Sequence, residues 1–188
     1  MQDRTQGVFD YIEKHRQDLI EFLCRLVEFD TTNPGDGIHG NEKPMQEYLA
    51  GEMKKDSFDE IRSLAFDEER RRPNLVGLVK GSGGGKSVCF NGHCDVVPVA
   101  FPERWLSPPF APRVTEDKIF GRGTSDMKGG LAGAYFAVRA LKACGVKLKG
   151  DLYFASCVGE ESQSADTCGT GKLVTEGKLK ADFAVTCE

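Results

Sequence analysis

The chain lacks any apolar run near the ~20 residues that a membrane-spanning helix needs. Its first residues, MQDRTQG, also lack the apolar core of a secretory signal peptide. We therefore expect a protein that has no membrane partner and that resides in the cytoplasm.

The sequence also lacks an excess of basic residues. It has 25 Lys and Arg against 29 Asp and Glu, a formal net charge of −4, and the two signs are interspersed. Nucleic acids and anionic lipid surfaces are bound by clustered positive charge, so we expect neither as a partner.

The spacing of the cysteines and the small number of histidines limit which disulfides and metal sites the chain can form. The seven cysteines are an odd number without any Cys-x-x-Cys, which argues against a disulfide framework and a thiolate zinc site. We interpret those in apolar strands as small buried hydrophobes: Cys89, Cys157 and Cys187. Of three histidines, His15 is expected to pack on a helix and His39 to lie exposed in a glycine-rich loop. His93 remains as the candidate ligand.

The hydrophobic periodicity predicts an α/β fold. At 188 residues the chain suffices for one domain or part of one. Three- and four-residue spacing predicts helices at 8–29, 41–55, 127–144 and 171–176, the second capped by Asn41. Short apolar runs predict strands at 61–66, 74–80, 87–91, 151–158 and 182–187, with a small hairpin at 114–122. Helices between strands indicate a mainly parallel sheet covered by helices.

The glycine-rich segment GSGGGKS, residues 81–87, nearly matches a phosphate-binding loop. That motif needs four residues between its first glycine and the GK[ST] triplet, followed by a helix. Here the spacing is one residue short and a strand follows. We therefore favour a hairpin turn over a nucleotide-binding loop.

Ionisable residues follow the apolar strands at the points where these end. His93 closes one strand, Glu160 and Glu161 follow a second, and Glu188 follows a third, while Asp126 lies at the start of a helix. Parallel strands place their carboxyl ends at one edge of the sheet, so these groups should meet there. Carboxylates gathered around an imidazole repel one another unless a cation joins them, which predicts a metal site.

Five motifs resemble those of one known family, in its order. They are GHCDVVP, W-x-x-PPF-x-P, GRGTSDMKGG, GEES and ADFAVTCE. The family is that of dinuclear-zinc metallopeptidases, which includes acetylornithine deacetylase, succinyl-diaminopimelate desuccinylase, aminoacylase and the glutamate-releasing carboxypeptidases. The resemblance implies a three-layer αβα fold and metal-dependent hydrolysis of the amide bond of an N-acyl amino acid or short peptide.

The resemblance also implies a role for each residue of the site. His93 and Glu188 would bind the first metal ion and Glu161 the second, with Asp126 bridging the two. Asp95 would orient His93, and Glu160 would be the general base. Zinc is the implied metal, with cobalt or manganese as alternatives.

The chain departs from the family pattern because it lacks a metal-binding histidine and the later parts of the family's catalytic domain. The family's second metal takes a further histidine far downstream, whereas no histidine follows His93 here. We expect residues 1–188 to be the N-terminal part of the catalytic domain, without the lid or dimerisation domain and the final strands. The longer parent is then a candidate homodimer, and the isolated chain is expected to be inactive. The alternative is a metal-binding module that is catalytically incompetent or needs another chain.

Overall fold

The computed structural model describes residues 2–35, 40–66, 72–162 and 165–188. Its helices are α1 Gln2–Lys14, α2 Arg16–Glu28, α3 Lys43–Lys55, α4 Gly129–Ala143, α5 Ala165–Cys168 and α6 Thr170–Thr175. Its strands are β1 Glu60–Ala65, β2 Pro73–Val79, β3 Val88–His93, β4 Arg113–Val114, β5 Ile119–Phe120, β6 Leu152–Cys157 and β7 Phe183–Thr186. The predicted exposed loop at His39, like most of the charged segment after β1, lies outside these described residues.

The central sheet has five strands in the order β1-β2-β6-β3-β7. Strands β6, β3 and β7 are parallel to one another, whereas β1 and β2 add to the sheet in antiparallel pairs. The carboxyl ends of the three parallel strands therefore lie at one edge, where the sequence predicts the site. The predicted small hairpin is also present, as the antiparallel pair β4 and β5.

The predicted hairpin across GSGGGKS is wrong. Strands β2 and β3 do not pair with each other, because β6 lies between them and bonds to both. Consecutive strands usually become neighbours, and that tendency misled the interpretation of the glycines. The segment is a connection that passes over the end of β6.

Helices cover both faces of the sheet, which confirms the predicted three-layer αβα fold. Between α2–α4 and the sheet lies a core that includes Phe22, Leu49, Leu75, Tyr135 and Phe154. On the other face α6 covers a smaller core that includes Val76, Cys89, Ala155, Cys157 and Leu173. Cys89 and Cys157 are buried as predicted, whereas Cys187 is only half-buried.

The N-terminal region contains two helices, so the prediction of one helix over 8–29 is wrong. The helical conformation is interrupted at His15, with φ −103° and ψ 23°. The His15 ring lies on Tyr11, with a distance of 4.2 Å between ring centroids. Its Nδ1 is 2.6 Å from Oδ2 of Asp18 on the next helix. His15 is thus a packing residue, as expected, but at a helix junction.

Helix α3 begins two residues later than predicted, and Asn41 does not cap it. Glu42 precedes the helix without a side-chain capping bond, and Pro44 occupies the first turn as predicted. The Glu42 carboxylate is instead buried against the Arg72 guanidinium, with Oε1 2.8 Å from Nη2. In the described part of the chain, no helix combines the length and apolar character required to cross a membrane.

Candidate metal centre

His93 lies at the last position of β3 and presents its ring at the carboxyl edge of the sheet. The side chain is only 3% exposed. Its Nδ1 is 2.9 Å from the backbone carbonyl oxygen of Asp95 and 3.6 Å from the Asp95 carboxylate. The backbone contact fixes the ring, because only the shorter distance allows a hydrogen bond. Nε2 then faces outward, 3.0 Å from Oδ1 of Asp126.

Asp126 is carried by a tight turn that precedes α4. The turn, Thr124–Lys128, follows Gly123 at φ 80°, and Asp126 within it is extended rather than helical. This is why α4 begins at Gly129 and not at the predicted residue 127. The Asp126–Met127 peptide bond is cis.

Two buried side chains hold this turn against the rest of the fold. Sulfur Sδ of Met127 accepts the backbone N–H of His93 at 3.1 Å. The Lys128 ammonium donates to the carbonyl oxygens of Leu26 and Phe29, at 3.0 and 2.8 Å. The latter contacts satisfy carbonyl groups at the end of α2. Asp126 is therefore positioned by both β3 and α2.

The carboxylates of three separate segments converge on His93. From Nε2, Oδ1 of Asp126 is 3.0 Å away, Oε2 of Glu160 3.6 Å and Oε1 of Glu188 3.8 Å. The potential ligand atoms of His93, Asp126 and Glu188 all lie within 4.8 Å of one another. Among the described residues, Glu160 and Glu161 do not belong to this group.

The electrostatics of the cluster are those of crowded acids. Burial, followed by the charge of Asp126, raises the pKa of Glu161. Burial and a hydrogen bond with Asp126 raise the pKa of Glu188. Burial lowers the pKa of His93, but its contacts with Asp95 and the charge of Glu160 outweigh this and raise it to about 9. Neighbouring negative charge contributes to each shift beside burial, and a bound cation would neutralise that charge.

The donor set fits a divalent transition metal. One imidazole nitrogen and several carboxylate oxygens are the ligands that zinc, cobalt and manganese accept. His93 is buried while Asp126 and Glu188 are exposed, so the cluster opens to solvent on its carboxylate side. An ion held there would remain accessible to a water molecule or a substrate.

Asp95 links His93 to the loop that follows β6. Its carboxylate is fully buried and accepts the backbone N–H groups of Glu160 and Glu161, at 3.3 and 3.2 Å. It also accepts the side-chain amide of Asn33 at 2.7 Å. Burial raises the pKa of Asp95, but its contact with the His93 ring and the hydrogen bond from Asn33 lower it below its ordinary value.

Sequence reasoning missed Asn33, Met127 and Lys128. Asn33 belongs to TTNPG, which predicted only the end of a helix, and in the structure it lies in the segment that follows α2, five residues after Glu28. Met127 and Lys128 lie within the GRGTSDMKGG motif, but their contacts join segments far apart in sequence. A buried lysine at a helix end has no periodic signal that could have revealed it.

Gly130 lets α4 approach the end of β7. A Cβ atom there would collide with the backbone oxygen of Cys187, next to Glu188, whereas a Cβ at Gly133 meets nothing within 4 Å. We expect Gly130→Ala to lower the free energy of unfolding by roughly 1–3 kcal/mol and to displace Glu188. The matched variant Gly133→Ala should be neutral or stabilising by up to about 1 kcal/mol. Denaturant unfolding of both variants checks this, and equal effects would contradict it.

The comparisons with known proteins agree with this fold. The family described as "Peptidase family M20/M25/M40" matches residues 89–188, slightly more than half of the chain. The chain is 34% identical, over 95% of its length, to N-formyl-4-amino-5-aminomethyl-2-methylpyrimidine deformylase of Halalkalibacterium halodurans, covering 40% of that protein. It is 30% identical, over 90% of its length, to succinyl-diaminopimelate desuccinylase of Orientia tsutsugamushi, covering 42% of it.

A solved structure shows the same architecture. The di-peptidase Dug1p from Saccharomyces cerevisiae superposes with a TM-score of 0.78 at 18% identity, over 96% of this chain and 40% of that one. The fold is thus one that peptidases use. The chain belongs to peptidase family M20/M25/M40, a family of metal-dependent hydrolases, which confirms the resemblance inferred from its motifs. It spans about 40% of the length of the curated relatives that it matches.

Proposed function

We propose that the protein carrying this chain hydrolyses the amide bond of an N-acyl amino acid or a short peptide. The observation that carries the proposal is the convergence of His93, Asp126 and Glu188 within 4.8 Å, with Glu160 beside them. The relatives support the substrate class, because their names describe a deformylase, a desuccinylase and a di-peptidase. All three names describe removal of an acyl group from nitrogen or cleavage between two amino acids.

The geometry supports three of the proposed metal ligands, and the family resemblance adds the fourth, Glu161. His93, Asp126 and Glu188 would hold one zinc ion, with cobalt or manganese as substitutes. Asp126 would be shared with a second ion that Glu161 helps to hold. When bound, the metal supplies the Lewis acidity that activates water and polarises the amide carbonyl.

Glu160 is the proposed general base. Its carboxylate is 3.6 Å from Nε2 of His93 and its side chain is 55% exposed, so water can reach it. It lies outside the group of three ligand residues, which leaves its oxygens available for a proton. Glu160 would take a proton from the attacking water and return it to the leaving amine.

Asp95 and the buried backbone keep these groups in place. The Asp95 carbonyl oxygen sets the direction of the His93 ring, and its carboxylate holds the backbone of Glu160 and Glu161. Positioning of this kind lowers the cost of bringing the reacting groups together.

The remaining parts of the proposal concern the whole protein. We propose that residues 1–188 are the N-terminal part of its catalytic domain, in keeping with the 40% share of its relatives. A cytoplasmic location is consistent with seven free cysteines, since thiols are kept reduced there. We retain a homodimer of the longer protein as part of the proposal.

The test reconstitutes metal-free protein with zinc, cobalt or manganese and measures metal content. Release of amine is then measured from N-formyl, N-acetyl and N-succinyl amino acids and from dipeptides, with the chain and with the native protein. We expect metal uptake by both, and hydrolysis, which a chelator abolishes, by the longer native protein alone. Hydrolysis that persists at full rate in chelator would contradict the proposal, and metal uptake without hydrolysis by the native protein would favour a non-catalytic metal-binding module.

A further inference from the structure

Asn33 lies in the turn between α2 and α3, far in sequence from the metal centre. It falls outside residues 89–188, which carry the family match, and it is fully buried. Its side-chain amide nitrogen donates to Oδ2 of Asp95 at 2.7 Å and to the hydroxyl oxygen of Ser162 at 3.1 Å. The N-terminal part of the chain thus contributes a side chain, that of Asn33, to the surroundings of the metal centre.

The orientation of the Asn33 amide is determined by its surroundings. Its oxygen Oδ1 accepts the backbone N–H of Gly35 at 3.1 Å, while its nitrogen faces the Asp95 carboxylate. Exchanging oxygen and nitrogen would place two acceptors together and two donors together, so one orientation satisfies both contacts. The backbone N–H of Asn33 also donates to the carbonyl oxygen of Val96 at 2.8 Å, which fixes the turn beside Asp95.

The Asp95 carboxylate is where Asn33 can act on the site. A carboxylate rotates freely about its last torsion unless its oxygens are held. Oδ2 receives both the Asn33 amide and the Glu161 N–H, while Oδ1 receives the Glu160 N–H. The contact with Asn33 is the shortest of the three, so it sets the plane in which the other two are made.

We propose that Asn33 is a positioning residue of the metal centre: it holds the Asp95 carboxylate in the orientation that fixes the backbone of Glu160 and Glu161. This inference rests on the proposed function, because Glu160 and Glu161 are the proposed base and ligand. The hydrogen bonds of Asn33 in the described part of the chain go to Asp95, Ser162, Gly35 and Val96 and not to the proposed ligands, so Asn33 acts through Asp95. Loss of an outer partner of this kind typically costs 10–100-fold in metal affinity or activity.

The test compares two substitutions that separate the donor from the turn. Asn33→Asp keeps the oxygen that accepts the Gly35 N–H and replaces the amide donor with a second carboxylate oxygen facing Asp95, whereas Asn33→Ala removes both contacts. The control is Tyr135→Phe, which removes a partly buried hydrogen bond of 2.6 Å to Asp56, remote from the centre. Amide exchange of Glu160 and Glu161 is measured by NMR in metal-free protein. Cobalt affinity is measured separately from the absorption spectrum.

We expect both Asn33 variants to exchange the Glu160 and Glu161 amides at least about tenfold faster, and Asn33→Ala to bind cobalt roughly 10–100-fold more weakly. Tyr135→Phe should change neither quantity. Wild-type exchange rates in Asn33→Ala would overturn the proposal, because they would show that the backbone of Glu160 and Glu161 does not depend on the Asn33 side chain.

Two further outcomes are distinguishable. Should Asn33→Asp fail to fold, Asn33→Ala, which buries no charge, decides by the same exchange measurement. Should the wild-type chain bind no cobalt, the proposed function fails, and the exchange rates alone then support or refute the link through Asp95.

Discussion

Replacing Glu160 by glutamine is expected to leave metal content unchanged and to lower kcat by about 10²–10⁴, the contribution of a positioned general base. The glutamine has nearly the same shape but cannot accept the proton of the attacking water. Metal content should persist, because Glu160 is not among the three residues whose ligand atoms converge. The measurement combines elemental analysis with steady-state hydrolysis in whichever form of the protein shows wild-type activity.

The control for Glu160→Gln is Glu176→Gln. Glu176 pairs with Lys172 on α6, at 2.8 Å, and takes no part in the cluster. The Glu176→Gln variant should retain full activity and full metal content. A Glu160→Gln variant that kept most of its kcat would refute the role of general base, and one that lost its metal would make Glu160 a ligand.

Replacing His93 by alanine is expected to abolish metal binding at the cluster and hydrolysis with it. His93 supplies the imidazole on which Asp126, Glu160 and Glu188 converge, at 3.0, 3.6 and 3.8 Å. Without it the carboxylates face one another with no nitrogen ligand. The loss of affinity should exceed the roughly 10–100-fold that removal of an outer partner causes. Calorimetric titration with zinc measures it.

Two control variants test whether a loss of metal binding in His93→Ala is caused by misfolding. His15→Ala removes a histidine at the junction of α1 and α2, and it should bind metal like the wild type. His93→Asn fills more of the buried space than alanine, so its unfolding transition shows whether the fold survives. Zinc bound by a folded His93→Ala with wild-type affinity would exclude this cluster as the metal site.

The sequence was sufficient for the class of fold and for the segments that build the site. The apolar runs at β3, β6 and β7 are short and continuous, and each ends near an ionisable residue, so their ends could be placed at one edge before any coordinates were known. His93, Asp126 and Glu188 do meet there. The family motifs then added roles that spacing does not provide, and all of these roles remain predictions.

The remaining features depend on contacts between distant segments. The break at His15 leaves the hydrophobic period intact, so periodicity could not reveal it. Asn33 was interpreted as a helix breaker because its partner, Asp95, lies 62 positions away. The predicted pairing of β2 with β3 was wrong for the same reason, because the strand that lies between them, β6, is separated from both by more than fifty residues.

The position of β6 also constrains the order in which the sheet can be completed. As the chain leaves the ribosome, β1 and β2 can pair at once, because few residues separate them. Strand β3 emerges with neither neighbour available and has to wait until Leu152–Cys157 has been made. During that interval the unpaired edges of β2 and β3 are exposed, and the risk that nascent chains aggregate is greatest. Strands β2 and β3 can therefore be joined in one sheet only after the sixth strand has been made.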